Sequence, residues 1–385
     1  MTNGNDLKQF DEWLGDDSQF AALVVREWLQ PIEGKDAIIF PPTYAKPEGT
    51  KEGDWLGYNI DGEGSSSVCQ IDSVGSQANR MEPIFKRGEY RQLVPQVSIK
   101  AITEGRQRII SLLDAGHRAA DAIVRFSDLG PELRGAFLSY RDDGNAEPLA
   151  RIAPTSIIFG AWDSRATQSK LPRIVRSVVR AYNVRILHRS AQYSTVAGEI
   201  LDRDEVEVTT RGPKAELGLA HVPAVWTHGG IQVLGEIRRD AMLKLTTIRL
   251  LSAPREDVTL RLRRYILGLA LVSLTAQAEL FLREGCEFVP DPDKAMEWQL
   301  VKYDGTRGKW MIGHDQALLF AKASAESFCI QQRTDPAIFN SSLARDVIAL
   351  SEKDRKKLLK EGPVNQENIE KMKKGKAISK TKDTH

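Results

Sequence analysis

Ser156–Ser190 reads SIIFGAWDSRATQSKLPRIVRSVVRAYNVRILHRS. Between Asp163 and Glu199 the chain has no acidic residue, yet it places Arg165, Lys170, Arg173, Arg176, Arg180, Arg185 and Arg189 there. The formal net charge of the whole chain is only +2, so this basic run is a local feature. At about 100° per residue, Arg173, Arg176 and Arg180 fall in one stripe of Leu171–Ala181, with Leu171, Ile174, Val175, Val178 and Val179 opposite. Pro172 suits a first helical turn, where its missing N–H costs nothing. The pattern predicts a helix that buries its valines and turns three guanidiniums outward. A guanidinium matches phosphate oxygens through its forked donors and permanent charge. A solvated basic face is the plainer reading. A face with no carboxylate to share the charge favours an anionic partner.

The rest of the chain sets bounds on that reading. Its 385 residues allow two or three average domains or one elaborated core. A hydrophobic fraction of 41% is ordinary for a globular protein. Residues 351–385 hold eleven Lys or Arg against six acids, so most of the positive charge sits at the end and any polyanion site is a patch. Cys69, Cys286 and Cys329 are far apart, which argues against a zinc site or disulfide framework and fits a reducing cytosol. The polar, acidic start MTNGNDLKQFDEW does not read as a signal peptide. The apolar run Tyr265–Leu282 is broken by Gln277 and Glu279 and reads as a buried helix, not a membrane span.

Taken in order, residues 5–30 show Phe10, Trp13, Leu14, Phe20, Leu23 and Val24 at roughly helical intervals. A strand is expected over 37–45, followed by a polar loop, and a second strand at Val68–Ile71. Asp72–Ser76 then opens a helix whose start carries Ser73, Gly75, Ser76, Gln77, Asn79 and Arg80. Helix starts expose N–H groups that attract phosphate, although capping by Ser73 or Ser76 explains the composition as simply. A strand is expected at 92–100 and a helix at 106–127, with His117 or Arg118 pairing Asp121 across a turn. Strands are expected at 152–159 and 185–193, and a hairpin or flap over 195–235. Helices are expected at 256–283 and 314–328, with a short β pair across Asp304–Lys309. The Lys-rich end beyond Leu350 reads as a frayed helix or disorder.

Catalytic signatures are missing. The chain has no GxxxxGK[ST] loop and no GxSxG elbow. His221 and His228 lack an i,i+4 histidine or nearby cysteine, and Asp291 and Asp293 bracket Pro292 as a turn would. Asp72 and Asp163 are the acids to test for a cleavage role, but each sits amid Ser and Arg without a second carboxylate to hold a metal.

Several segments together resemble one family. DSVGSQANRME, HRAADA, FGAWDSR followed by RIVRSVVRAYNV, and HVPA…HGG…GEIRRDAML are similar to the backbone subunit of type I CRISPR Cascade complexes. That is the Cas-seven family of the RAMP superfamily, subtype I-U, also called I-G. The resemblance spans residues 35–340, and DSVGSQANR and GAWDSR are its most specific pieces. It implies an α+β fold: an RRM-like, ferredoxin-type palm with an antiparallel sheet, helices on one face and an inserted β-hairpin thumb at about 195–235. The expected division is an N-terminal helical extension over 1–34, the palm over 35–350, and a basic, disordered tail over 351–385.

The resemblance also implies a function. Copies of the protein would coat the spacer part of a CRISPR guide RNA as a helical filament, with other Cascade subunits, and support target DNA binding through guide pairing. The expected RNA-binding residues are Ser76, Gln77, Asn79, Arg80, Trp162, Ser164, Arg165, Arg173, Arg176, Arg180, Arg189, His228 and Arg238. No catalytic residue, metal or cofactor is expected, no membrane partner, and a cytoplasmic location. The alternative is a metal-dependent RNA-cleaving backbone subunit.

Overall fold

Leu23, Val25 and Leu29 alternate with Val24, Arg26 and Trp28, and this period of two makes Phe20–Pro31 a strand, β1, with its odd positions buried. The computed structural model describes residues 7–50, 55, 57–103, 105–196 and 208–371. Its further strands are β2 (Val68–Asp72), β3 (Ser98–Thr103), β4 (Arg106–Ser111), β5 (Val175–Tyr182), β6 (Val184–Tyr193), β7 (Val222–Val233), β8 (Ile237–Lys244), β9 (Cys286–Pro290) and β10 (Glu297–Lys302). The helices that matter here are α1 (Val74–Met81), α2 (Gly130–Asp143), α3 (Pro154–Phe159), α4 (Glu256–Thr275) and α5 (His314–Ser327).

The main sheet is antiparallel and β1 is near its middle. On one side Val25 faces Ala241 of β8, and β8 places Ala241 opposite Ser177 of β5. Beyond β5, β2 pairs through Cys69 and Ala181. On the other side β1 pairs with β9 and β10. Among the described residues the parallel ladder is a minor one, Ala337–Ile338 against β3. The class is α+β, as the sequence implied, and the sheet is not doubly wound.

Burial alternates along β1 and β8, so one face of the sheet is covered and the other is open. The covered face carries Leu23, Val25, Val175, Val179, Ala241 and Leu243, all at 2% exposure or less. Helix α4 supplies Leu262, Tyr265, Ile266 and Leu269 to this core. Tyr265 stacks on Phe328 with centroids 5.2 Å apart, and its hydroxyl donates to the Leu93 carbonyl at 2.8 Å. At Gly268 a Cβ would meet the Ala321 Cα at 2.8 Å, so glycine lets α4 and α5 lie close. Among the described residues no helix is long and apolar enough to cross a membrane.

Several sequence expectations are corrected. Leu171–Ala181 is not a helix: Lys170–Leu171 is a short strand and β5 follows. The N-terminal helical extension reduces to Asp11–Leu14, because residues 20–31 are the sheet's β1. Residues 106–127 form β4, two 3₁₀ turns and the short helix Ala122–Arg125. Residues 152–159 are helical as α3, and 37–45 contributes only Ile38–Ile39. The expected flap starts earlier than 195: β6 and β7 form one long ladder from Val184–Val233 out to Tyr193–Val222, and Ile39 joins its base at Ile231. Residues 197–207 of that region lie outside the described residues. The tail is ordered through 371, with helix Glu352–Glu361 and Leu358, Val364 and Ile369 buried against Leu343 and Val347. Residues 372–385 lie outside the described residues.

Candidate nucleic-acid interface

Arg118 ties three distant segments together. Its Nε donates to Glu82 Oε2 at 2.6 Å, its Nη2 to Asn79 Oδ1 at 3.0 Å and its Nη1 to the Gly160 carbonyl at 3.3 Å. The guanidinium also lies 5.5 Å from the centre of the Phe159 ring. Asn79 belongs to α1, Arg118 to a 3₁₀ turn, and Gly160 to the bend after α3. Arg118 therefore pairs with Glu82, not Asp121. Asp121 instead caps Ala122–Arg125, its Oδ1 accepting from the Ile123 N–H at 3.1 Å.

A loop projects from this junction. Ala161–Trp162 pairs with Lys170–Leu171, and the turn between them is held from inside by Asp163, which is 4% exposed. Asp163 Oδ2 accepts from the Thr167 N–H at 2.9 Å and hydroxyl at 2.8 Å, and its Oδ1 accepts from Arg125 at 2.9 Å. The buried acid thus builds the turn and leaves the outside to other side chains. Trp162 is 58% exposed, and Lys170 Nζ lies 5.8 Å from the centre of its ring. Arg165, Lys170 and Arg173 are exposed, and none has a carboxylate partner among the described residues. Burial and the nearby Arg118 guanidinium both push Arg173 below the usual range of an arginine. Two cations so close together welcome an anion. At Gly160, φ is +79° and a Cβ would strike Arg173 Cγ at 2.7 Å, so glycine seats Arg173 there.

The other sequence candidates distribute as follows. Ser76 is bound into the capping of α1, where Ser73 Oγ accepts from its N–H at 3.2 Å. Gln77 is buried, donating to Asp72 at 2.6 Å and accepting from Ser177 at 2.7 Å. Arg80 is anchored by Asp72 at 3.1 Å and the Leu282 carbonyl at 2.8 Å. The Ser164 carbonyl accepts from the Gln168 amide within the loop. Arg176 and Arg180 point from the open sheet face, away from the covered face that packs α1. Arg238 shares that face and is tied to Asp240 at 2.8 Å and Glu236 at 2.7 Å while stacking on Tyr182 at 4.8 Å. Arg189 and His228 belong to the β6–β7 ladder. The Arg189 guanidinium lies 5.9 Å from the Phe40 ring, and His228 is edge-on to Tyr58 at 5.4 Å.

The set therefore separates. Asn79, Trp162, Arg165 and Arg173 gather at the junction, together with Lys170. Arg176, Arg180 and Arg238 occupy the open face, and Arg189 and His228 the ladder. Sequence reasoning missed Arg118 as the hub and the half-buried Arg26 and Trp28 of the open face. No local signal marks Arg118, because its three acceptors lie 36 to 42 residues away.

Residues 23–186 match the model of a family described as CRISPR-associated protein GSU0053. That stretch is similar to a CRISPR-associated family. The match covers less than half of the chain, and it contains most of β1, all of α1, Arg118 and the whole Trp162 loop. It supports a role in CRISPR defence together with other CRISPR machinery. No curated protein matches the chain. Among the described residues no group of three His, Cys, Asp or Glu side chains is placed to hold a metal.

Proposed function

We propose that the protein is a non-catalytic RNA-binding scaffold of a CRISPR interference complex, several copies of which coat the spacer region of one guide RNA. In this reading it is a Cas-seven, RAMP-type backbone subunit with an RRM-like palm, the β6–β7 ladder is its thumb, and target DNA joins through guide pairing. The observation that carries it is the Trp162 loop: an exposed indole beside Arg165, Lys170 and Arg173, three cations without carboxylate partners among the described residues, seated on the segments that most resemble the family. Such a surface holds phosphates and stacks one base without reading sequence. Asp72 and Asp163 are both spent on internal hydrogen bonds, which favours a scaffold over a cleaving subunit.

The test is the variant Arg165→Gln/Lys170→Gln/Arg173→Gln with a guide-length RNA across a salt series. The salt slope should fall by roughly 0.7 for each phosphate that is no longer neutralised, whatever the RNA sequence. An unchanged slope in a folded variant defeats the reading. Labelled RNA incubated with Mg²⁺ should stay intact, and native mass measurement should find several protein copies per guide.

A further inference from the structure

Arg239 stands on the covered face of β8 and is only 3% exposed. Its Nε donates to Glu27, itself buried. Its Nη1 and Nη2 have no hydrogen-bond acceptor among the described residues. Neither nitrogen is among the fully buried atoms that lack a partner, so both open toward space that a ligand can enter. This side chain lines a cavity of about 560 Å³ between α1, the 3₁₀ turns at 82–93 and the segment after α4. Arg80 and Arg87 line the same cavity. Arg80 is held rigid by Asp72 and the Leu282 carbonyl, whereas Arg87 is exposed with no carboxylate partner among the described residues. Against these three guanidiniums the lining supplies one acid, Glu279. Met81, Ile84 and Tyr90 form an apolar and aromatic side, and the Tyr90 hydroxyl is fixed by His314 Nε2 at 2.7 Å.

We propose that this cavity binds a phosphate-bearing ligand of nucleotide size. The phosphate meets Arg239, Arg80 and Arg87, and the base lies against Met81, Ile84 and Tyr90. The volume falls within the roughly 300–1,000 Å³ of small-ligand sites. The paired Nη groups of Arg239 match two phosphate oxygens. The site uses none of the residues of the Trp162 loop, so it does not depend on guide coating. A free nucleotide and the phosphorylated end of an RNA present the same chemistry to it.

Calorimetric titration of the full chain separates the two sources. The probes are AMP, ATP, adenosine, and one short oligonucleotide with either a terminal phosphate or a terminal hydroxyl. Binding of AMP or ATP but not adenosine identifies a free nucleotide. Tighter binding of the phosphorylated oligonucleotide than of its hydroxyl form, without mononucleotide binding, identifies an RNA end. In either case Arg87→Glu should weaken binding roughly tenfold or more, since it replaces a charge-assisted hydrogen bond with repulsion. Arg239→Lys keeps the charge beside Glu27 but loses the fork and should weaken it similarly. Should that variant misfold, Arg87→Glu decides alone, because Arg87 is exposed. No preference for any phosphorylated probe, or an affinity unchanged in Arg87→Glu, overturns the proposal and leaves a water-filled cavity. The Trp162-loop variant should keep this binding, so a failed scaffold reading and a failed cavity reading give different results.

Discussion

Arg118 joins its three segments from a left-handed backbone conformation, φ 53°, that few non-glycine residues adopt. Its ion pair with Glu82 is almost wholly buried, at 6% and 2% side-chain exposure. Burial raises the Glu82 carboxyl from 4.5 to about 7, against the opposing pull of the Arg118 guanidinium. The sign of the linkage follows. The folded state holds the Glu82 proton more tightly than the unfolded chain does. This group's favourable contribution is therefore complete below the unfolded pKa and lost as pH rises through about 7. Glu82→Gln cannot titrate, so between pH 5 and 8 the wild type should lose about 2–3 kcal/mol relative to it. Denaturant melts of both proteins at the two pH values measure this. A difference that grows in the wild type's favour would show that Arg118 dominates. At this scale the sequence is legible in kind only. The polar segment at Asp72–Arg80 and the basic run after Asp163 both read as sites, but Asp72 and Gln77 turn inward, Arg80 is tied to Asp72 at the edge of a separate cavity, and only Asn79 reaches the junction. Which of several polar neighbours faces out depends on partners that a linear reading does not place.

At the scale of elements, β5 shows why one central reading fails. Positions i and i+4 share a face in a helix and also in a strand, so Val175 with Val179 and Arg176 with Arg180 fit both periods. Val178 breaks the strand alternation, because it is 2% exposed on the same face as the two arginines. The β-branched run Ile174, Val175, Val178 and Val179 is the arbiter, and it favours a strand. The helix at Val74–Met81 is legible because Ser73 caps it with a side-chain acceptor, and His314–Ser327 because its apolar spacing is unambiguous. The strand assignment places Cys69 on β2 and Cys286 on β9 in one apolar cluster with Leu29, Ile71 and Val179. Burial pushes both thiols up to about 12. Cys329 is exposed. At pH 8, iodoacetamide should therefore label Cys329 alone in the native protein and all three cysteines after unfolding, read by mass of the intact chain. Rapid native labelling at Cys69 or Cys286 would contradict the strand assignment around them.

At the scale of the whole molecule, the family match ends at residue 186, but the sheet it contains cannot close there. β1 and β5 do not pair with each other; β8, residues 237–244, is the strand between them. The stretch that carries the interface thus depends on chain far beyond it. The same dependence reaches the tail. Leu358, Val364 and Ile369 bury with Leu343 and Val347, and Arg134 of α2 donates to the Leu359 carbonyl at 2.9 Å and the Lys360 carbonyl at 2.6 Å. Gly362, Pro363 and Val364 line the same small cavity as Arg125 and Asp163, the pair that anchors the Trp162 loop. The tail therefore braces the candidate interface through packing, and its lysines are secondary to that. Charge composition alone reads it as a loose polycation, because a few apolar residues spread among lysines give a weak periodic signal. Truncation after Glu370 or Lys371 should leave stability and RNA binding unchanged. Truncation after Leu350 exposes the partners of three buried aliphatic side chains and should cost about 3 kcal/mol or more. It should also weaken RNA binding at fixed salt by loosening the Asp163 anchor. Denaturation midpoints and RNA titrations of the two truncations decide the matter. If the shorter protein keeps both the midpoint and the affinity of the full chain, the bracing role is refuted.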